Sequence, residues 1–185
     1  MRIGIDCDGV LRDLIADIIK LIKEKYPKYT EEILIPESWN WEDWLPFWTE
    51  EQAEKFIFED NSEKLFGKDS TPINEALEDW DKVNSWATEF GHKLILVSAQ
   101  REHCKKITRE FLDKNNFNFD EYHFLGEKWS VNVDVLVDDS PEQLQTFSKK
   151  SIANGQPICM KRTWNRDSQK KFTTINRLSD LIKII

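Results

Sequence analysis

The sequence predicts an α/β fold, a parallel sheet covered by helices on both faces. Three observations predict it. Strand-like runs such as Lys93 to Ser98 (KLILVS) and Asp134 to Asp138 (DVLVD) are continuously apolar rather than alternating, as in strands buried on both faces. Those runs alternate with amphipathic stretches of helical period. The 22 aromatic side chains and 39% hydrophobic content of the 185 residues supply a sizeable core, which excludes wholesale disorder.

The elements follow in order. Arg2 to Asp6 reads as a short strand stopped by polar residues and Gly9. Leu11, Leu14, Ile15, Ile18 and Ile22 then recur at three- and four-residue steps, the apolar stripe of a helix. Residues 27–70 are aromatic, acidic and weakly periodic, punctuated by Pro27, Pro36 and Pro46, and predict a helical insertion. Thr71-Pro72 reads as an N-cap with a first-turn proline, opening a helix through about Phe90 that Gly91 ends. Lys93 to Ser98 is a strand, Glu102 to about Asn115 a helix and Tyr122 to Leu125 a short strand. Asp134 to Asp138 is a strand, and Ser140-Pro141-Glu142-Gln143 joins a first-turn proline to a capping box, so a helix follows at once. Pro157 to Lys161 is expected as the last strand and Leu178 to Ile185 as the last helix. An insertion after the first strand sits over the carboxyl ends of the strands, where open α/β sheets bind ligands.

Charge is uneven. Residues 31–80 carry fifteen acids and three bases, whereas the tail from Lys149 carries nine bases and two acids. An acidic middle repels a long polyanion, which argues against a nucleic-acid duplex as partner and leaves a small anion open. No apolar run is long enough to span a membrane, the N-terminus has acids within its apolar run, and the three cysteines are far apart; together these predict a cytoplasmic protein. Cys7, between two acids, reads as a small buried residue rather than a reactive thiol.

Chemistry concentrates at the predicted strand ends. Asp6 and Asp8 flank Cys7 after the first strand, and Asp138 and Asp139 end another. Converging carboxylates repel unless a proton or cation lies between them. An all-oxygen set with room for water suits Mg2+. Ser98 ends a third strand and Lys128 lies in the connection before Asp138. A nucleophile, an acid, a hydroxyl, an ammonium and a metal-binding carboxylate together suit phosphoryl transfer, in which positioning and charge neutralisation do most of the work.

IDCDGV at 5–10, LVSAQ at 96–100, Lys128 and VLVDDSPEQL at 135–144 resemble the haloacid-dehalogenase-like phosphatase superfamily. Lys128 through Pro141, a lysine ten residues before an Asp-Asp-x-Pro ending, is similar to the 5'(3')-deoxyribonucleotidases and their bacterial and phage relatives. The resemblance implies a Rossmann-like three-layer core of residues 1–13 and 71–185 and a small, Trp-rich, acidic helical cap of residues 14–70. It implies that Asp6 is the nucleophile and Asp8 the general acid and then base. It implies that Asp6, the Asp8 carbonyl and Asp138 bind magnesium with Asp139 holding metal-bound water or orienting that shell, and that Gly9, Ser98, Ala99 and Lys128 receive the phosphoryl group. Where the family places a second hydroxyl and a proline after the serine, this chain has Ala99 and Gln100, with Arg101 the nearest replacement for the missing phosphate contact. Trp39, Trp41, Trp44 and Phe66 are candidates to line the substrate pocket, because cap rings above a phosphate site can stack a base; a purely structural aromatic cluster is the competing reading.

The resulting expectation is a magnesium-dependent phosphomonoesterase acting on (deoxy)nucleoside monophosphates through an aspartyl phosphate. A phosphatase for a sugar phosphate or a nucleic-acid 3'-phosphate end, and a non-catalytic binding protein of the same fold, stay open beside it.

Overall fold

A computed structural model describes residues 1–185. Six parallel strands form one sheet: β1 (Arg2–Ile5), β2 (Lys93–Ser98), β3 (Glu121–Phe124), β4 (Val135–Asp138), β5 (Gln156–Met160) and β6 (Thr173–Ile175), in the order β3-β2-β1-β4-β5-β6. The chain winds one way from β1 to β3 and the other way from β4 to β6, so β1 and β4 flank a topological switch point. In register, Ile5 lies opposite both Leu96 and Val137. The ends of β1, β2 and β4 therefore stop side by side.

Successive residues of these strands face opposite sides, and both sides are buried. Ile3, Ile5, Leu94, Leu96, Val135 and Val137 join a 22-residue cluster with Trp80, Phe111 and Phe117. Ile95, Val97 and Leu136 join a smaller cluster with Val131, Val133 and Phe147 on the other face. Helices α4 (Asn74–Glu89), α5 (Glu102–Lys114) and α6 (Pro141–Lys150) carry the crossover connections, and α7 (Arg166–Lys171) and α8 (Leu181–Ile184) close the chain.

The segment after β1 leaves the sheet. Three successive amides, of Val10, Leu11 and Arg12, donate to the Cys7 carbonyl and curl the chain back on itself. Asp13 then caps α1 (Leu14–Lys25), accepting from the Ala16 amide. Leu11, expected within that helix, packs instead in the core from the turn before it. Two short 3-10 turns, α2 (Glu50–Glu54), a π-helical segment (Lys55–Asp60) and α3 (Ser62–Phe66) complete the insertion. Fourteen buried residues, Trp44, Leu45, Phe56 and Ile57 among them, form a second apolar cluster there, which takes in Cys104 and Ile107 of α5.

Two sequence expectations need correction. Thr71-Pro72 does not cap α4, which begins at Asn74 with no side-chain cap. The Thr71 amide and hydroxyl both donate to Asp17, and the Ile73 amide donates to the Leu11 carbonyl. With its donors drawn to the segment leaving the core, the returning segment is extended, and the two linkers lie side by side. Residues 157–161 are also not the last strand. β6 lies beyond them, only three residues long with two of them threonines, so it carries no periodic signal.

Candidate active site

The strand ends place Asp6, Asp138 and Asp139 together. The Asp6 amide donates to the Val137 carbonyl at 3.0 Å, which fixes Asp6 beside the end of β4. One carboxylate oxygen from each of the three lies within 4.8 Å of the others, and all three residues are buried. Lys128, in a 3-10 turn before β4, is 2% exposed. Its Nζ lies 2.8 Å from Asp6 Oδ2 and 2.6 Å from Asp138 Oδ2. The other Asp138 oxygen accepts from the Ser140 amide. Asp139 Oδ2 accepts from Trp164 Nε1 at 2.9 Å. One ammonium thus faces three carboxylates.

The electrostatics record that imbalance. Burial pushes the Asp6 carboxyl up to about 7, Lys128 works against the rise, and Asp138 and Asp8 add to it. Burial, then the charges of Asp138 and Asp6, hold Asp139 well above the usual carboxylate range. Burial opposes the Lys128 charge, but Asp138 and Asp6 together raise it above an ordinary lysine. Asp6 Oδ1 and Asp139 Oδ1 are buried with no hydrogen-bond partner. Buried acceptors are ordinarily satisfied, and two orphaned oxygens within an all-carboxylate cluster fit a hard divalent cation such as magnesium.

Asp8 faces differently. Its Oδ1 accepts from Arg12 Nε at 2.7 Å and its Oδ2 from Gln100 Nε2 at 2.5 Å. The Gln100 amide also reaches Ser98 Oγ at 3.3 Å. The Asp8 carboxylate is therefore outside the three-acid cluster, whereas Asp139, expected to hold metal-bound water or orient the shell, brings an oxygen into it. Gly9 has φ +70°, and a Cβ there would lie 2.1 Å from Asp139 Oδ2, so only glycine lets the loop pass this close. The Gly9 carbonyl accepts from Arg162 Nε at 2.7 Å, which brings the residues after β5 onto the same loop. Cys7 is wholly buried and burial raises its thiol, as expected of an inert residue.

A cavity of about 180 Å³ adjoins these groups, lined by Asp6, Asp8, Ser98, Ala99, Lys128 and Asp139 below and by Trp39, Trp41, Phe58 and Phe66 above. Two pocket expectations fail. Trp44 is fully buried in the apolar cluster of the insertion, among Leu45 and Phe56, and does not line this cavity. Arg101 turns to the cap: its guanidinium pairs with Glu54 at 3.0 Å and lies 4.0 Å above the Phe58 ring. Phe58, placed by the π-helical turn, had no signal beyond being one aromatic among many. Arg12, Gln100 and Trp164 also escaped sequence reasoning as parts of the site. Gln100 alone had a visible clue, since it stands where the resembling family has proline.

The family model described as "5' nucleotidase, deoxy (Pyrimidine), cytosolic type C protein" matches residues 1–184. No curated protein is significantly similar to the chain in sequence. Among solved structures, a haloacid dehalogenase-like family hydrolase from Streptococcus pneumoniae superposes with TM-score 0.65 at 11% identity, over 100% of this chain and 98% of that one. L-2-haloacid dehalogenase from Xanthobacter autotrophicus, with chloropropionic acid covalently bound, superposes with TM-score 0.63 at 9% identity, over 99% and 97% of the two chains. At such identities these structures show the shared fold, a Rossmann-like sheet with flanking helices.

Proposed function

The chain belongs to the deoxy-5'-nucleotidase family and is a phosphatase, and from that premise we propose that it hydrolyses (deoxy)nucleoside monophosphates in a magnesium-dependent reaction. The observation that carries this reading is the buried cluster of three carboxylates served by one lysine, with two oxygens left unpartnered.

Asp6, Asp138 and Asp139 would hold the cation, with the Asp8 carbonyl as a further donor. The bound cation supplies charge neutralisation on the phosphoryl oxygens and keeps the acids ionised. Asp6 is the nucleophile: its oxygen attacks phosphorus and the bond to the leaving oxygen breaks. Asp8, in the carboxylic form, gives that oxygen its proton, and the nucleoside departs. Water then attacks the aspartyl phosphate and passes a proton to Asp8, which releases phosphate and restores Asp6. Lys128 and Ser98 bind phosphoryl oxygens, and the Gly9 and Ala99 backbone completes the cradle. Residues 14–70 act as the cap, and Trp39, Trp41, Phe58 and Phe66 are the rings offered to the substrate.

The cavity, at about 180 Å³, is smaller than the 300–1,000 Å³ or so usual for ligand pockets. A nucleotide therefore enters with the cap displaced about the paired linkers 11–13 and 71–73. No helix is long and apolar enough to cross a membrane.

The test is phosphate release from a panel of deoxynucleoside monophosphates by wild-type protein and Asp6→Asn, each with magnesium and with excess chelator. Turnover is expected only for wild-type protein with magnesium. Substantial turnover by a folded Asp6→Asn preparation free of wild-type enzyme overturns the aspartyl-phosphate mechanism, and full activity in chelator overturns the metal assignment.

A further inference from the structure

Both oxygens of Asp8 are occupied by donors that no other part of the mechanism uses, Arg12 Nε at 2.7 Å and Gln100 Nε2 at 2.5 Å. We propose that Arg12 and Gln100 are positioning residues for proton transfer: they fix the Asp8 carboxyl for delivery to the leaving oxygen, and Arg12 ties that aim to the seating of the cap. The proposal rests on the phosphatase reading above, and it adds two residues that act through Asp8 without touching phosphate.

Arg12 is 0% exposed, and a buried guanidinium is costly unless its donors are met. Its partners are few and specific, and Nη2 is buried without one. Nε meets Asp8. Nη1 donates to the Phe66 carbonyl at 2.7 Å and reaches Thr108 Oγ1 at 3.5 Å. The planar head lies between the Phe66 and Phe111 rings, 5.0 and 5.1 Å from their centres. Phe66 is the last residue of α3, in the insertion, whereas Thr108 and Phe111 belong to α5 of the core. One side chain therefore spans cap and core and ends on the Asp8 carboxylate. If α3 moves away, Arg12 loses its Phe66 carbonyl and one of its two rings, and the grip on Asp8 loosens with them.

Gln100 closes the other side. It is 8% exposed, and its Nε2 bridges Asp8 Oδ2 and Ser98 Oγ. A proline at that position, as in the resembling nucleotidases, has no side-chain donor to offer. The clamp joins the proposed acid to a proposed phosphate ligand, so the two are set relative to one another. Displacing a reacting group by about 1 Å can cost on the order of 10²-fold in rate, and general acid catalysis contributes roughly 10²–10⁴-fold. A loosened Asp8 thus matters most when the leaving oxygen needs its proton.

That dependence gives a readout which loss of stability does not produce. A nucleoside 5'-alkoxide is a poor leaving group and needs the proton; 4-nitrophenolate does not. The parameter kcat/KM covers only the steps from free enzyme to loss of the leaving group, so the later attack of water does not enter. In Gln100→Met, the ratio of kcat/KM for a deoxynucleoside 5'-monophosphate to that for 4-nitrophenyl phosphate is expected to fall about tenfold or more. Gln100→Glu, which sets a second carboxylate against Asp8, is expected to lower the ratio at least as far. Arg12→Lys, checked for folding because the side chain is wholly buried, is expected to lower the ratio likewise, and a folded Arg12→Lys protein with an unchanged ratio removes Arg12 from the proposal; the Gln100 pair decides the part of Gln100. An unchanged ratio in both Gln100 variants, whether activity is lost in parallel or retained, overturns the proposal. A failure of the phosphatase reading looks different: folded wild-type protein then releases phosphate from neither substrate, and this proposal falls with it.

Discussion

Replacing Lys128 with methionine removes the only ammonium among three buried carboxylates while keeping much of the side chain's bulk. Nζ lies 2.8 Å from Asp6 and 2.6 Å from Asp138. At an effective dielectric constant of about 20, each contact is worth roughly 6 kcal/mol of Coulomb attraction. Most of that attraction offsets the cost of burying the charges, and breaking a buried pair typically destabilises by about 3–5 kcal/mol net. For a domain of this size, each kcal/mol shifts Tm by roughly 2–4 °C, so the metal-free variant should melt roughly 6–20 °C below wild type. The pH dependence gives a sharper signature. The Asp6 carboxyl already sits at about 7 with Lys128 holding it down, so its loss moves that value further up. A carboxyl raised in the folded state, against about 3.9 unfolded, binds protons preferentially when folded. The resulting stability is present at low pH and is lost as pH rises through the folded value. In chelator, the Tm of Lys128→Met should therefore fall from pH 6 to pH 8 more steeply than that of wild type. Magnesium at about 100 times its Kd returns about 2.7 kcal/mol and should flatten the slope. Calorimetry across pH, with chelator or magnesium, measures all of this. A variant as stable as wild type in chelator at pH 8, or a deficit indifferent to both pH and magnesium, refutes the account of an undercompensated carboxylate cluster.

Two further expectations follow from the placement of particular side chains. Trp39 lines the cavity whereas Trp44 is fully buried in the cap cluster; Trp39→Leu should weaken nucleotide hydrolysis by roughly tenfold, as loss of a stacking partner worth about 1–3 kcal/mol would, with little change for acetyl phosphate. Trp44→Leu should instead lower Tm and damage both reactions, and the opposite pattern in kinetics and melting would reverse the two assignments. In α4, wholly buried Asp79 takes Arg177 Nε at 2.7 Å, Arg177 Nη2 at 2.5 Å and the Ser179 amide at 3.0 Å. Burial works to raise its carboxyl, but these donors leave it below the ordinary value. Its stabilisation is therefore present above about pH 4 and lost as pH falls through the lower folded value. Asp79→Asn should melt below wild type at pH 7, with the gap closing toward pH 3; a gap constant with pH would show that the ion pair contributes no charge-dependent stability.

The sequence by itself determined the layered architecture and the acids that gather at the strand ends. Continuous apolar runs of four to six residues have no other comfortable place than a sheet buried on both faces, and acids directly after such runs must stand at its edge. Asp6, Asp138 and Asp139 converge because parallel register brings Ile5 level with Val137, so strand ends marked by charge in the sequence become neighbours in space. Local pattern could not say which rings face the cavity. Trp39, Trp41 and Trp44 lie within six residues of one another, on a segment of turns without regular period, and only packing against α1 and the π-helical segment turns Trp44 inward. Nor could it reveal the partners of Asp8. Arg12 carries no signal in the local pattern, yet its guanidinium is held by the carbonyl of Phe66, and the amide of Gln100 reaches Asp8 across 92 residues of chain. Thr71-Pro72 departs from the helix start it predicts for the same reason. Its donors answer to Asp17, 54 residues away, rather than to the helix that follows. Periodicity records what each residue shares with its near neighbours along the chain, whereas buried hydrogen bonds are satisfied by whatever tertiary packing brings within about 3 Å.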